Sequence, residues 1–204
     1  MKKCLCFLSG FLLAAAMLIC AVLLPALSTA RFEKALLSTV DQQALGISES
    51  HLSAFAEETM QYLRGEKPAW EPDVPFPVAD SFRMHMAEVR IWVKTAPWII
   101  IGAIALGTTL LHLGGWRRKP ALLGVCALVA LVLLVLIWAA ADFRSFWMVL
   151  HKTLIPGGIF AYDEPVMRLF PLELFFRYIV PVTLWAAGLL AALTAAGWLL
   201  LRRR

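Results

Sequence analysis

The sequence predicts an all-α membrane protein: four transmembrane helices, an extracytoplasmic helical cap, and an interfacial hairpin before the last span. Three observations predict it. Hydrophobic residues make up 61% of the 204, well above the range of soluble globular chains. Four apolar stretches, residues 4–27, 91–113, 121–141 and 179–201, can each cross a hydrocarbon core of about 30 Å at ~1.5 Å rise per residue. Backbone groups in lipid must pair internally, which makes these stretches helices. Charge completes the pattern. Lys2, Lys3, Arg117, Arg118, Lys119, Arg202, Arg203 and Arg204 flank the stretches on one side with no acid among them, and all 14 acidic residues fall in the two other polar segments. Basic residues stay in the cytoplasm, so both termini are expected inside and both acidic segments outside.

Residues 1–28 form the first expected span. Lys2, Lys3 and the small residues Ser28-Thr29-Ala30 also fit a secretory signal, but the apolar run far exceeds the about 7–15 residues of a cleavable core. Retention as an anchor is the stronger reading, and cleavage would leave three spans. Residues 29–90 form the cap. Within it Ser48 can cap a helix whose Leu52, Phe55, Ala56, Met60 and Leu63 keep helical spacing, and Gly65 can end it. That helix can pack on the bundle top or lie in the headgroup layer with Tyr62 as an interfacial anchor. Pro68, Pro72, Pro75 and Pro77 then impose an extended loop. Asp80 is the expected N-cap of a helix that starts near Ser81 and continues into the second span, with a bend at Pro97. On it His85, Glu88, Val89 and Trp92 share one face.

The second span covers 91–115, a basic cytoplasmic loop 116–120, and the third span 121–141. Gly102, Gly107, Gly114 and Gly115 suit close helix packing. Residues 142–178 are as apolar as they are polar, with Phe146, Trp147, Leu150 and Leu154 before the sharp turn Pro156-Gly157-Gly158. They are expected to form an interfacial hairpin, with a pocket beneath the cap to cover its non-helical backbone. The last span and basic tail take 179–204. The four cysteines lie in or beside the spans, so no disulfide framework is expected. The net charge of +5 arises from the orienting clusters, which removes the case for nucleic acid as a partner.

Function narrows to the outer face. His85 and His151 are the candidates for chemistry there, and two spans of a bundle can bring them together; the bland alternative satisfies each locally, His85 through Glu88 or Asp80. His51 and His112 read as structural or solvated. Glu88, Asp163 or Glu164 could add a metal ligand to the two histidines, but no HExxH or paired-cysteine spacing is present. No GxSxG elbow, phosphate loop or GxGxxG occurs. Charged residues deep in the spans, which ion-coupled transporters use, are missing as well.

The segments LGISESHLSAFAEETMQYLRG, SFRMHMAEVR, FWMVLHKTLIPGG and VMRLFPLELFF resemble the lipoprotein intramolecular transacylase family, four-span bacterial membrane proteins of similar length. The resemblance covers almost the whole chain. It implies transfer of the sn-2 acyl chain of a diacylglyceryl-modified bacterial lipoprotein to the α-amine of its N-terminal cysteine, giving the lyso-form lipoprotein. The family's two site histidines match His85 and His151. Its HM-x-D-V pattern reads His85-Met86-Ala87-Glu88-Val89 here, its aromatic before the second histidine is Leu150, and its run after the Pro-Gly turn becomes Ile159-Phe160-Ala161-Tyr162-Asp163-Glu164. No cofactor is implied, and the partners are lipoproteins and membrane lipids.

An α-amine of pKa about 7.7–8.0 is mostly protonated at neutral pH, and a histidine suits its deprotonation. His85 is therefore expected to act as base, with His151 as its hydrogen-bond partner or as proton donor to the departing oxygen. Glu88, Arg83, Arg144 and Asp163 are the supporting candidates, the arginines for the oxyanion or a headgroup. A non-catalytic envelope assembly or sensor protein, then a membrane metallohydrolase, are the alternatives.

Overall fold

The computed structural model describes residues 1–155 and 165–202, with position 193 and the last turns from 196 traced through the backbone only. Its elements are α1 (Lys2–Ala26), α2 (Thr29–Thr39), α3 (Gln42–Leu45), α4 (Glu49–Arg64), α5 (Asp80–Leu113), α6 (Arg118–Ala141), α7 (Phe143–Leu154), a 3-10 turn (Pro165–Arg168) and α8 (Leu172–Arg202). The described residues contain no strand. Four helices, α1, α5, α6 and the Leu172–Ala192 part of α8, are long and apolar enough to cross a membrane. The Pro156-Gly157-Gly158 turn, Asp163 and Glu164 lie outside the described residues.

The chain divides into two compact units. One comprises Met1–Val22, Ala96–Ala141 and Thr183–Arg204. Its helices approach backbone to backbone: a Cβ at Gly10 would overlap the Ala121 carbonyl, and one at Gly124 would overlap the Phe7 carbonyl. Glycine at both positions lets α1 and α6 close to that range, as small residues do where apolar helices pack in lipid. Ala14, Leu128 and Leu190 form the buried centre of this unit.

The other unit comprises Leu23–Thr95 and Asp142–Val182. Its core joins Phe32 and Leu36 of α2, Leu52, Phe55, Ala56 and Met60 of α4, Trp70 of the proline loop, Phe82 and Met86 of α5, and Val166, Leu169, Phe170 and Leu174 near the start of α8. The helix expected between Ser48 and Gly65 is present as α4. The Ser48 side chain accepts from the His51 amide, and Gly65 sits at φ 89°. Around Gly65 the Gly65 amide donates to Tyr62 and the Glu66 amide to Gln61, so the orphan carbonyls of the last turn are satisfied. Trp70 anchors the loop beneath this helix: its ring packs on Phe55 and Phe82, and its indole N–H donates to Thr59 Oγ1 at 3.1 Å.

Several local expectations are corrected. Tyr62 is no interfacial anchor: it is buried, with the Arg90 guanidinium 4.4 Å above its ring. Asp80 lies inside the first turn of α5 rather than capping it, because the Phe82 and Arg83 amides donate to the Ala79 carbonyl. The helices α2 and α3 were not expected. The arm before the Pro-Gly turn is helical, α7, whose Asp142 carboxylate accepts from the Ser145 amide at 3.0 Å. Of the glycines assigned to packing, Gly107 and Gly114 do approach α1, Gly102 meets nothing, and Gly115 makes the turn after α5 at φ 75°.

Candidate active site

His85 enters the core unit on the second turn of α5, beside the ring of Phe82 at 5.7 Å. It is 7% exposed. His151 comes from the last turn of α7, and its ring stacks on that of His85 with centroids 5.5 Å apart and planes 15° from parallel. Residues separated by about a third of the sequence thus share one cluster. Beneath His151, α7 stands on an aromatic rail: Trp147 is 4.5 Å from the His151 ring and 4.4 Å from Phe175, and Phe143 packs on both Trp147 and Phe176. These rings exclude water from one side of the imidazole pair.

The His151 Nδ1 lies 3.1 Å from the Trp147 carbonyl. A carbonyl oxygen only accepts, so Nδ1 carries the hydrogen and, in the neutral ring, Nε2 presents a lone pair. Burial holds the His151 pKa below its ordinary 6.5, and the Trp147 bond opposes that shift in part. Near neutral pH His151 is therefore an uncharged imidazole with a proton-accepting Nε2.

The supporting candidates are placed differently. Glu88, one turn beyond His85, is partly buried, and its Oε2 is shielded from solvent with no hydrogen-bond partner. Arg83 turns to the proline loop, donating to the Trp70 carbonyl at 3.3 Å and lying 3.9 Å from Asp80. Arg144 is exposed at the opposite end of α7 from His151. Asp163 lies outside the described residues. His51 is exposed, with Nδ1 2.7 Å from Ser48 Oγ in the α4 cap, and His112 is exposed near the end of α5. Among the described residues no three histidine, cysteine, aspartate or glutamate side chains converge as metal ligands. A surface hollow of about 390 Å³ lies along α2, lined by Ala30, Glu33, Lys34, Leu37 and Ser38; none of the site candidates lines it.

Two tryptophans not among the site candidates contact this cluster. Trp92 of α5 donates its indole N–H to the Leu154 carbonyl at 2.6 Å. Trp147 supplies both the carbonyl that orients His151 and the ring below it. Both were visible as aromatics near the histidines, but a backbone carbonyl as partner leaves no mark in a sequence.

Comparison with solved structures finds the same fold in the membrane-integral lipoprotein intramolecular transacylase Lit from Bacillus cereus. The TM-score is 0.76 at 14% identity, over 100% of this chain and 99% of that one. Structures of the same B. cereus protein with H85R and H85A mutations match with TM-scores of 0.70 and 0.70 at 15% identity, over 100% of this chain and 94% and 96% of theirs. No curated protein sequence matches the chain. The family model for the lipoprotein intramolecular transacylase Lit matches residues 7–176. A match over most of the sequence, on a membrane-integral fold of four long apolar helices, makes this chain a member of the lipoprotein intramolecular transacylase family.

Proposed function

We propose that this enzyme moves the sn-2 acyl chain of a diacylglyceryl lipoprotein to the α-amine of the same molecule's N-terminal cysteine, and that His85 and His151 carry the reaction. The stacking of these two imidazoles inside one packed unit is the observation that supports the reading most. A histidine is also the residue substituted in two of the B. cereus structures.

Nucleophile and ester share one substrate molecule, so the protein's main contribution is to fold the lipid until amine nitrogen and ester carbonyl approach to about 3–3.5 Å. The tautomer favours His151 as the base, which exchanges the two roles expected from sequence. His151 Nε2 takes a proton as the neutral amine adds to the carbonyl. A tetrahedral oxyanion forms, then collapses with cleavage of the bond to the glycerol oxygen. The proton held by the imidazole pair passes to that oxygen, so an amide and a free hydroxyl result with no net proton change. Glu88, with an unsatisfied buried oxygen three residues from His85 on the same helix, is a supporting group. Arg83 and Arg144 have weaker claims, since Arg83 is engaged with the loop and Asp80; Asp163 keeps its place from the sequence alone.

The charge asymmetry supports both termini in the cytoplasm, with the cap, residues 29–90, and the segment 142–178 outside, where lipidated proteins and their lipid chains are met in a bacterial plasma membrane.

Mass spectrometry of a lipoprotein's N-terminal peptide tests the activity. In a host that makes only the diacyl form, expression of this chain is expected to yield N-acyl, S-monoacylglyceryl cysteine. His85→Ala and His151→Ala are each expected to lower conversion by about 10²–10⁴-fold. Unchanged diacyl peptide from well-folded wild type rejects the activity, and full conversion by both variants rejects the site.

A further inference from the structure

The geometry points to Trp92 as a positioning residue for the imidazole pair: its indole N–H, by holding the Leu154 carbonyl, sets the register of α7 against α5 and so the approach of His151 to His85. This rests on the histidine pair being the active site. Trp92 lies two helical turns after His85 on the same face of α5. Leu154 is the last residue of α7, three beyond His151. Two helices that touch at one pair of rings can still slide and roll about that contact. A second contact, the 2.6 Å bond from Trp92 Nε1 to Leu154 O, removes both freedoms.

The choice of partner is chemically specific. The carbonyls of a helix's last turn lack intrahelical donors. Within α7 the Ile155 amide returns to His151, which leaves the Leu154 carbonyl open to an outside donor. An indole nitrogen can only donate, so the bond is unambiguous in direction. Within the protein the ring is only partly covered, Trp92 being 44% exposed. The aromatic rail under Trp147 holds α7 from the α8 side, and Trp92 holds its end from the α5 side.

The experiment uses full-length protein in lipid and a diacyl lipopeptide substrate. Wild type and His151→Ala are the reference arms, Trp92→Phe removes the donor, and replacement of Trp92 by 3-benzothienylalanine exchanges the ring N–H for sulfur while keeping the ring's shape. Trp98→Phe, at an exposed tryptophan of the same helix, is the control and is expected to match wild type. Both Trp92 variants are expected to lower kcat by about 10- to 100-fold, the scale of a small misplacement of catalytic groups, with KM nearly unchanged. As water reaches a loosened His151, the titration of its ring, followed by NMR without substrate, is expected to move up toward the ordinary 6.5, a readout that lost stability alone would not shift. Should Trp92→Phe fold poorly, the isosteric variant decides. If wild type converts the substrate and His151→Ala does not, while the isostere keeps wild-type kcat and the wild-type His151 titration, the positioning role is overturned. If wild type itself is inactive, the reading of the site has failed instead.

Discussion

At the scale of single residues, the proposed site is a pair of stacked imidazoles, one of them held toward its neutral form by burial. Burial depresses the His151 pKa, so an NMR titration of this ring without substrate is expected to find it mostly uncharged at pH 6.5 and protonated only as pH drops through the lowered value. The same shift acts on stability. Between the folded and unfolded pKa values the unfolded chain binds more protons, so stability is gained as pH rises and lost as it falls through the folded value. A His151 ring that titrates at or above 6.5 would contradict its burial. That His85 and His151 could meet was legible, because both lie near the same membrane boundary and two spans of a bundle can join them. The tautomer of His151 was not. The Trp147 carbonyl that sets the His151 tautomer is a main-chain group of the preceding turn, and it exists only once α7 is helical.

Among the helices, capping chemistry separates what could be read from what could not. Ser48 and Gly65 bracket α4 as their residue types require, and its apolar spacing matches the buried face. Ser48→Ala and Gly65→Ala are each expected to cost about 1 kcal/mol, the former through the lost cap and the latter through the left-handed φ of 89°. Thermal unfolding should register both losses while kcat stays near wild type. By contrast, α2 begins at Ser28 with no side-chain cap bond, which removed its start signal. The aromatic content of α7 pointed to the lipid interface and hid the Asp142–Ser145 cap and the helical spacing of Phe143, Trp147, Leu150 and Leu154. Tyr62 was misplaced for a different reason: its cover is Arg90, a residue of another helix, and no local pattern announces a contact over that separation.

For the molecule as a whole, composition and charge were sufficient for the class, since four long apolar helices cannot be hidden in a sequence. The manner of their packing was less visible. Gly10 and Gly124 set the approach of α1 to α6, yet among so many small and apolar residues neither stands out. Gly10→Leu is expected to force the two backbones apart and to cost upward of about 1–3 kcal/mol, seen as a lower Tm and a smaller yield of monodisperse protein in detergent. A variant as stable as wild type would mean that α1 and α6 do not meet there.

The Tyr178 hydroxyl donates to the carbonyl of Ala26 at 2.5 Å, across 152 positions of the chain. Phe170 touches Phe32, Phe55 and Phe82 in the same unit. During synthesis, then, the early segment that emerges after α1 has no complete interior to collapse onto until the ribosome has made the residues near 170–178. Contacts closing so long a loop form late. For most of translation the nascent polypeptide must carry Phe32, Phe55 and Phe82 without the cover of Phe170, and the interior around the histidine pair is completed only near the end of its manufacture.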